Sequence, residues 1–247
     1  MAQAILAQAL WWPFTSSNSM NYEVLNAYVA YSGKILSIEV DEIRYLDTGR
    51  LSCREVVVKD AFAMVVAVRK DGSVVLVRQF RHPFRAMALS FPAGRVDPGE
   101  APEEAARREL REEAGLQAAR LTKLAELHEV PEFARSVGHL FLAEGLEPSP
   151  GAERDDGEAT MQVLRSTPAE LQRMVRDGTI TSVTVVAAWH HFLEFRAASQ
   201  REKSLGLALG LALAFALGGL IVGRQSAQAG RSIQLGWVRM GLQYLLM

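Results

Sequence analysis

The stretch GRVDPGEAPEEAARRELREEAGL, residues 94–116, constrains the fold of this chain more than any other part of the sequence. Residues 102–114 are rich in alanine, glutamate, arginine and leucine, which favour helix formation. Pro102 suits the first turn of a helix, and Gly115 suits the position just past the last turn. The sequence therefore predicts an acidic helix with defined ends over residues 102–114.

Three glutamates of this predicted helix, Glu109, Glu112 and Glu113, are spaced at i, i+3 and i+4, so they lie within one arc of about 100°. Carboxylates this close repel one another. Mg²⁺ relieves the repulsion, because it prefers carboxylate oxygens and keeps water and substrate phosphates in its other positions. On the triplet alone, a solvated surface helix in which Arg108 pairs with Glu112 stays open as the alternative.

The spacing of the whole stretch is more specific than the triplet. Gly94 is followed after five residues by Glu100, and after seven more by the run RELREEAGL, which begins at Arg108. Seven of these positions require Gly, Glu or Arg. At about 7% for each residue, a chance match anywhere in the chain has a probability on the order of 10⁻⁶. The pattern resembles the box of the Nudix hydrolases.

The resemblance extends over roughly residues 29–198. QFR (Gln79–Arg81), FPAG (Phe91–Gly94) and the later DGEA loop resemble the ADP-ribose and nucleotide-sugar pyrophosphatase branch of that family. The chain departs from the branch at Ser90, where a glutamate is usual, in PEFARS, and in GTITSVT. These departures bear on the exact substrate more than on hydrolysis itself.

The resemblance implies a fold and an activity. The fold is an α/β Nudix α/β/α sandwich with a mixed sheet. The activity is Mg²⁺-dependent hydrolysis, with Mn²⁺ possible, of the diphosphate bond of ADP-ribose or a related nucleotide sugar, giving a nucleoside monophosphate and a sugar phosphate. The implied assembly is a homodimer with exchanged N-terminal strands. A non-catalytic Nudix module that binds a nucleotide for sensing or scaffolding is the alternative, and the intact set of box glutamates favours the enzyme.

The resemblance also implies roles for the box residues. Glu109, Glu112 and Glu113 take the metal-ligand positions, and the carbonyl of Ala93 is the backbone ligand. Arg108 holds the glutamates by charge-assisted hydrogen bonds and is counted with the catalytic residues.

Two further residues of the implied site lie outside the box. Arg81 would bind the diphosphate or adenosine portion of the substrate. The general base of this branch comes from a mobile acidic loop, where Glu158 is the best match and Asp156 and Glu153 are the alternatives.

The rest of the domain is predicted to contain blocks of short strands and few helices. Between Lys34 and Leu89, alternating and β-branched runs predict strands, with a hairpin turn at Asp71-Gly72. HLFLAEGL predicts another strand, and helices are predicted over residues 168–178 and about 183–198. Strands grouped in blocks favour a mixed α/β sandwich over a doubly wound sheet.

Composition excludes several classes of protein. The chain of 247 residues has a formal net charge of −1, which argues against a nucleic-acid partner. Cys53 is the single cysteine, so a disulfide framework and a cysteine-based zinc site are excluded.

The two ends differ from the domain predicted over residues 29–203. Residues 1–28 are predicted to form an N-terminal arm, and because no Lys or Arg precedes Lys34 a secretory signal is not expected. Residues 204–223 are uncharged and would span about 30 Å as a helix. This length predicts a transmembrane helix that anchors a cytoplasmic catalytic domain, followed by a short tail over 224–247. A buried or dimer-packing helix is the alternative.

Overall fold

The computed structural model describes residues 21–149 and 161–228, with side chains described up to residue 209. The described residues divide into two units, one up to Leu193 and one from Glu194. The strands are β1 (Tyr22–Ser32), β2 (Ser37–Tyr45), β3 (Leu51–Val58), β4 (Phe62–Ala67), β5 (Val74–Arg81), β6 (Ala86–Ser90), β7 (Ala93–Arg95), β8 (Leu116–His128), β9 (Ala134–Arg135), β10 (Val137–Pro148) and β11 (Gln162–Ser166). The helices are α1 (Pro102–Ala114), α2 (Pro168–Arg176) and α3 (Val183–Gln228), and a 3-10 turn covers His82–Phe84.

A mixed four-stranded sheet lies at the centre of the first unit, in the order β7-β4-β10-β8. Strands β4 and β10 are parallel, whereas β7 and β8 are antiparallel to their neighbours. A second sheet has the antiparallel order β11-β5-β6. A third has the order β1-β2-β3-β9, in which β9 runs parallel to β3. The predicted mixed sheet is therefore confirmed.

Strand β4 contributes apolar side chains to both faces of the central sheet. Its sequence FAMVVA is apolar at every position, as expected of a strand buried on both sides. One face of the strand packs with α1, and the other packs with α2 and the start of α3. The α1 side contains Ala63, Val65, Ala67, Ala105, Ala106 and Leu110. The opposite side contains Met64, Val66, Leu171, Val185, Trp189 and Phe192. This arrangement is the α/β/α sandwich predicted from the resemblance.

The N-terminal sheet differs from the central one because much of its apolar surface is exposed. Strand β1 has no buried residue over its 11 positions. Its exposed large apolar side chains are Val24, Leu25, Tyr28, Val29 and Tyr31. On the neighbouring strand β2, Val40 and Ile43 are buried. The predicted boundary between an arm over residues 1–28 and the domain falls inside β1, and residues 1–20 lie outside the described residues.

Two glycines adopt the left-handed conformation at positions where the sequence predicts a turn and a helix end. Gly72 has a φ of +82° in the turn between β4 and β5, where the carboxylate of Asp71 accepts a hydrogen bond from the Ser73 N–H at 2.9 Å. Gly115 has a φ of +64° just past α1, and its N–H donates to the carbonyl of Arg111 at 2.9 Å. Glycine adopts this left-handed conformation without the penalty that a Cβ imposes.

Helix α3 begins where the third helix is predicted but continues past residue 198 to Gln228. In the described part of the chain, no helix is both long enough and apolar enough to cross a membrane. Most of the predicted transmembrane segment, residues 204–223, lies beyond the residues whose side chains are described. The prediction of a membrane anchor is therefore unsupported.

Candidate active site

Helix α1 holds the acidic stretch against the central sheet. Ala105, Ala106 and Leu110 are buried in the core on the inner face of the helix. This packing takes Glu109 and Glu113 out of solvent, with 6% and 2% of their surface exposed. A buried carboxylate is costly unless it is hydrogen-bonded or paired. Both glutamates therefore depend on nearby donors.

Strand β7 supplies backbone next to these carboxylates. The N–H of Ala93 donates a hydrogen bond to Oε2 of Glu113 at 2.8 Å. A Cβ built on Gly94 would collide with the carboxylate of Glu109. The glycine is therefore required for a close approach between strand and helix rather than for a turn, since its φ is not in the left-handed region.

The guanidinium of Arg108 joins the acidic groups of the stretch. Its Nε and Nη2 donate to the two carboxylate oxygens of Glu100 at 3.0 and 2.9 Å. Its Nη1 donates to Glu109 at 2.6 Å and to Glu112 at 3.1 Å. Its Nη2 also donates to the carbonyl of Arg95 at 2.8 Å. One side chain on α1 thus contacts two carboxylates of its own helix, the carboxylate of Glu100 and the backbone of strand β7.

These hydrogen bonds shift the acid–base equilibria of the partners. The side-chain hydrogen bonds from Arg108 hold the pKa of Glu100 below its ordinary value, against a smaller opposing effect of burial. The hydrogen bonds to Glu100 and Glu109 raise the pKa of Arg108 above its ordinary value. Both groups stay ionised at neutral pH, so the bonds between them are charge-assisted.

The donor set of α1 and β7 suits a hard cation. Three carboxylates and the carbonyl of Ala93 are oxygen ligands, which Mg²⁺ prefers. Among residues 21–149 and 161–209, no three His, Cys, Asp or Glu side chains converge in an arrangement that could hold a metal ion. Arg108 instead lies between Glu109 and Glu112, sharing one nitrogen between them. A cation here would complete its coordination with water and substrate oxygens, as Mg²⁺ commonly does.

Comparison with known proteins identifies this arrangement. The NUDIX domain family matches residues 58–195, which is more than half of the chain. The chain belongs to the Nudix family. The family assignment predicted from the spacing of residues 94–116 is therefore confirmed.

The Nudix chain is similar to pyrophosphatases over most of their length. It is 32% identical to the ADP-ribose pyrophosphatase of Bacillus subtilis (strain 168) over 173 residues, which cover 70% of this chain and 92% of that protein. It is 32% identical to the ADP-ribose pyrophosphatase of Mycobacterium tuberculosis over 168 residues, covering 68% and 81%. These similarities confirm the predicted enzyme class, a Nudix pyrophosphatase.

A solved structure supports the fold. The structure titled "Crystal structure of ADP compounds hydrolase" superposes with a TM-score of 0.67 at 24% sequence identity, covering 75% of this chain and 100% of that one. At this identity the likeness shows the Nudix fold alone.

Arg81 lies at the end of β5, on the hairpin that β5 forms with β6. The side chain of Arg81 is exposed. Val77 pairs with Ser90 and Arg81 pairs with Ala86, so alternation places Arg81 on the same hairpin face as Ser90. Ser90 lies three residues before Ala93 along the chain. The structure places Arg81 on a different sheet from the box residues.

The predicted general base, Glu158, and its alternatives at 153 and 156 lie outside the described residues. The flanking residues are described. The N–H of Ser149 donates to the carbonyl of Gly115 at 2.9 Å, just past the Nudix helix. On the other side of the gap, Gln162 pairs with Arg78 on β5. The acidic loop is therefore attached at one end beside the box helix and at the other end three residues from Arg81.

Sequence reasoning missed two contacts within the box. It gave Glu100 no role, although the two hydrogen bonds from Arg108 to this carboxylate tie the start of the stretch to the helix. The fixed distance of eight positions between Glu100 and Arg108 was the available signal. It also missed the contact between Gly94 and Glu109, which depends on how β7 packs on α1 and leaves no periodic pattern.

Replacing Arg108 with lysine should destabilise the Nudix domain by about 1–3 kcal/mol and lower kcat. A lysine keeps the charge, but its single ammonium cannot bond Glu100, Glu109 and Glu112 together as the guanidinium does. Thermal unfolding and steady-state kinetics measure the two effects.

Arg107→Lys is the matched control for this prediction. Arg107 lies on the same helix, pairs with the largely exposed Glu103, and donates one hydrogen bond to the carbonyl of Ala118 at 3.1 Å. Its replacement should change stability by about 1 kcal/mol at most, because exposed pairs contribute little and one hydrogen bond is lost. Equal losses in the two variants would contradict a special role of Arg108.

Proposed function

We propose that this Nudix pyrophosphatase hydrolyses the diphosphate bond of ADP-ribose or a related nucleotide sugar, in a Mg²⁺-dependent reaction that gives a nucleoside monophosphate and a sugar phosphate. The observation that carries the proposal is the box itself. Glu113, which is buried, accepts a hydrogen bond from the Ala93 N–H, and Arg108 bonds Glu109 and Glu112. The chain that carries these three carboxylates is similar to ADP-ribose pyrophosphatases.

In this proposal the box residues hold the metal. Glu109, Glu112 and Glu113 with the carbonyl of Ala93 would bind Mg²⁺, and Mn²⁺ suits the same oxygen donors. When bound, the ion neutralises phosphate charge and acidifies a coordinated water. Arg108 keeps two of these carboxylates, Glu109 and Glu112, in position through its charge-assisted bonds.

Substrate binding and proton transfer are assigned to residues outside the box. Arg81 would bind the diphosphate or the adenosine portion, since a guanidinium donates two parallel hydrogen bonds to phosphate oxygens. Glu158 would accept the proton of the attacking water, because the loop that carries it is attached beside both the box helix and β5.

Replacing Glu158 with glutamine should lower kcat at least about 100-fold and leave metal affinity within about threefold. The amide cannot accept the proton, and the residue is not among the proposed ligands. Activity against pH and metal titration of the same preparation test this. A collapse of metal affinity would make Glu158 a ligand. Asp156→Asn and Glu153→Gln are the matched controls, and a larger kcat loss in either would move the base to that position.

A substrate panel tests the proposed activity directly. ADP-ribose, GDP-mannose, UDP-glucose and a dinucleoside polyphosphate are incubated with Mg²⁺, with Mn²⁺ and with a chelator, and the products are separated by chromatography. The proposal expects a nucleoside monophosphate and a sugar phosphate from ADP-ribose or a nucleotide sugar, and no product with the chelator. The intact carboxylates favour an enzyme over a non-catalytic nucleotide-binding module. Absence of product from the whole panel would reverse that preference.

The exposed face of the N-terminal sheet supports a homodimer. Strand β1 carries five exposed large apolar side chains and no buried residue, and exposed apolar surface on this scale is typical of an interaction site. A second copy of the chain is proposed to cover it.

Replacing Val29 with lysine should weaken the proposed dimer at least about tenfold, because burying an unpaired ammonium costs more than the lost apolar contact. Sedimentation velocity over a range of concentrations measures the change. Lys34→Glu, an exposed charge in the turn after β1, is the control and should leave the dimer intact. A monomeric wild-type protein would contradict the proposal.

A further inference from the structure

The turn that joins β5 to β6 presents an aromatic ring to solvent. Arg81 pairs with Ala86, so residues 82–85 close the hairpin, and Phe84 stands in this loop. Its exposed fraction is 82%, the largest among the large apolar side chains of the described residues. A single exposed apolar residue is common. The conformation and charge of the loop indicate that this one is different.

The loop is held in a strained conformation. Among the described residues, Arg85 is the one non-glycine residue with a positive φ, 51°. Its N–H donates to the carbonyl of His82 at 3.1 Å, which closes the 3-10 turn directly after Arg81. A non-glycine residue in this region costs about 1–3 kcal/mol, and such strain is concentrated at binding sites. The turn fixes Phe84 close to Arg81, because both ends of the loop are tied by the strand pairing.

The hairpin that carries the ring is basic. From Val74 to Ser90 the sequence contains no aspartate or glutamate. The same residues include Arg78, Arg81, His82 and Arg85. Among the salt bridges of the described residues, none involves Arg81 or Arg85. An exposed ring on a loop flanked by these two arginines is complementary to a flat, neutral base attached to phosphates.

We propose that Phe84 is a stacking platform for the nucleobase of the substrate, with Arg81 and Arg85 binding the adjoining phosphates. The inference rests on the proposed function and makes the hairpin loop the part of the site that selects nucleotides over other diphosphates. Stacking is tolerant of base identity because every base has a π-face. Phe84 therefore sets affinity for nucleoside diphosphates as a class.

Phe84→Leu tests the platform, because leucine keeps an apolar side chain and removes the ring. We expect KM for ADP-ribose to rise at least about fivefold with kcat unchanged. Phe84→Tyr keeps the ring and should stay within about twofold of the wild type. A methyl ester of ribose diphosphate, which has the diphosphate and sugar but no base, should show the same KM in all three proteins.

Phe80→Leu is the matched control. Phe80 is also exposed on this hairpin, but it pairs with Met87 on the face opposite to Arg81. Its replacement should leave KM for ADP-ribose unchanged. The platform would be overturned if the two leucine variants raised KM for ADP-ribose equally. It would also be overturned if Phe84→Leu raised KM equally for ADP-ribose and for the substrate without a base, or if the variant lost the dimer together with its affinity for substrate.

Binding of ADP by calorimetry separates this inference from the proposed function. If the wild type hydrolyses nothing in the substrate panel, the proposed function fails, but Phe84→Leu must still weaken ADP binding at least about fivefold. If hydrolysis is found and ADP binds both proteins equally, the platform fails while the proposed function stands.

Discussion

Glu113→Gln should lower kcat at least about 100-fold, a barrier increase of about 2.7 kcal/mol, and leave the fold intact. Glutamine retains a carbonyl oxygen that can accept the hydrogen bond from the Ala93 N–H, so the packing between α1 and β7 is kept. The negative charge proposed to hold Mg²⁺ is lost. Steady-state kinetics with ADP-ribose and thermal unfolding of the same preparations measure the two quantities.

Glu103→Gln is the control for this experiment. Glu103 lies in the first turn of the same helix, is exposed, and pairs with Arg107. Its replacement should leave kcat within about twofold, since an exposed pair contributes little. If Glu113→Gln retained more than about a tenth of wild-type kcat, the metal assignment would fail.

Gly94→Ala should reduce kcat at least about tenfold and destabilise the domain by about 1–3 kcal/mol. The added methyl group collides with the buried carboxylate of Glu109, which cannot move outward without losing its bond from Arg108. Chemical denaturation and kinetics measure the effects.

The double variant Gly94→Ala with Glu109→Asp separates strain from chemistry. Shortening the acid by one methylene makes room for the methyl group, so stability should recover by more than about 0.5 kcal/mol while activity stays low. A Gly94→Ala protein with more than about half of the wild-type kcat would show that the close approach is not required.

The elements that could be predicted from the sequence are those with local signals. Pro102 and Gly115 delimit α1 as expected, and Arg108 pairs with Glu112 four residues on. Strand β8, in contrast, was not predicted, because LQAARLTKLAELH mixes charged and apolar residues without alternation and its pairing with β10 contains a register shift. Strand β1 was missed for a similar reason, since its pairing with β2 is interrupted by two register shifts.

The site was predictable as a set of residues but not as an arrangement. The spacing from Gly94 to Glu113 identifies the acids and the arginine, because all of them lie on one helix and the segment before it. That Arg108 would share one nitrogen between Glu109 and Glu112, and would use its other nitrogens for Glu100 and the carbonyl of Arg95, depends on tertiary packing. No periodicity in the sequence encodes that choice of partners.

The acidic box is assembled from one continuous segment, whereas the hairpin with Arg81 and the strand after the acidic loop belong to a separate sheet. In the proposed function, bond cleavage is assigned to the box and substrate choice to the hairpin, although β5 packs in the same apolar core as α1. Residues of the hairpin can be exchanged without touching a hydrogen bond of the box. If the proposed roles hold, changing the diphosphate that this enzyme accepts requires substitutions in the hairpin and the acidic loop, while the hydrogen bonds of the box are kept.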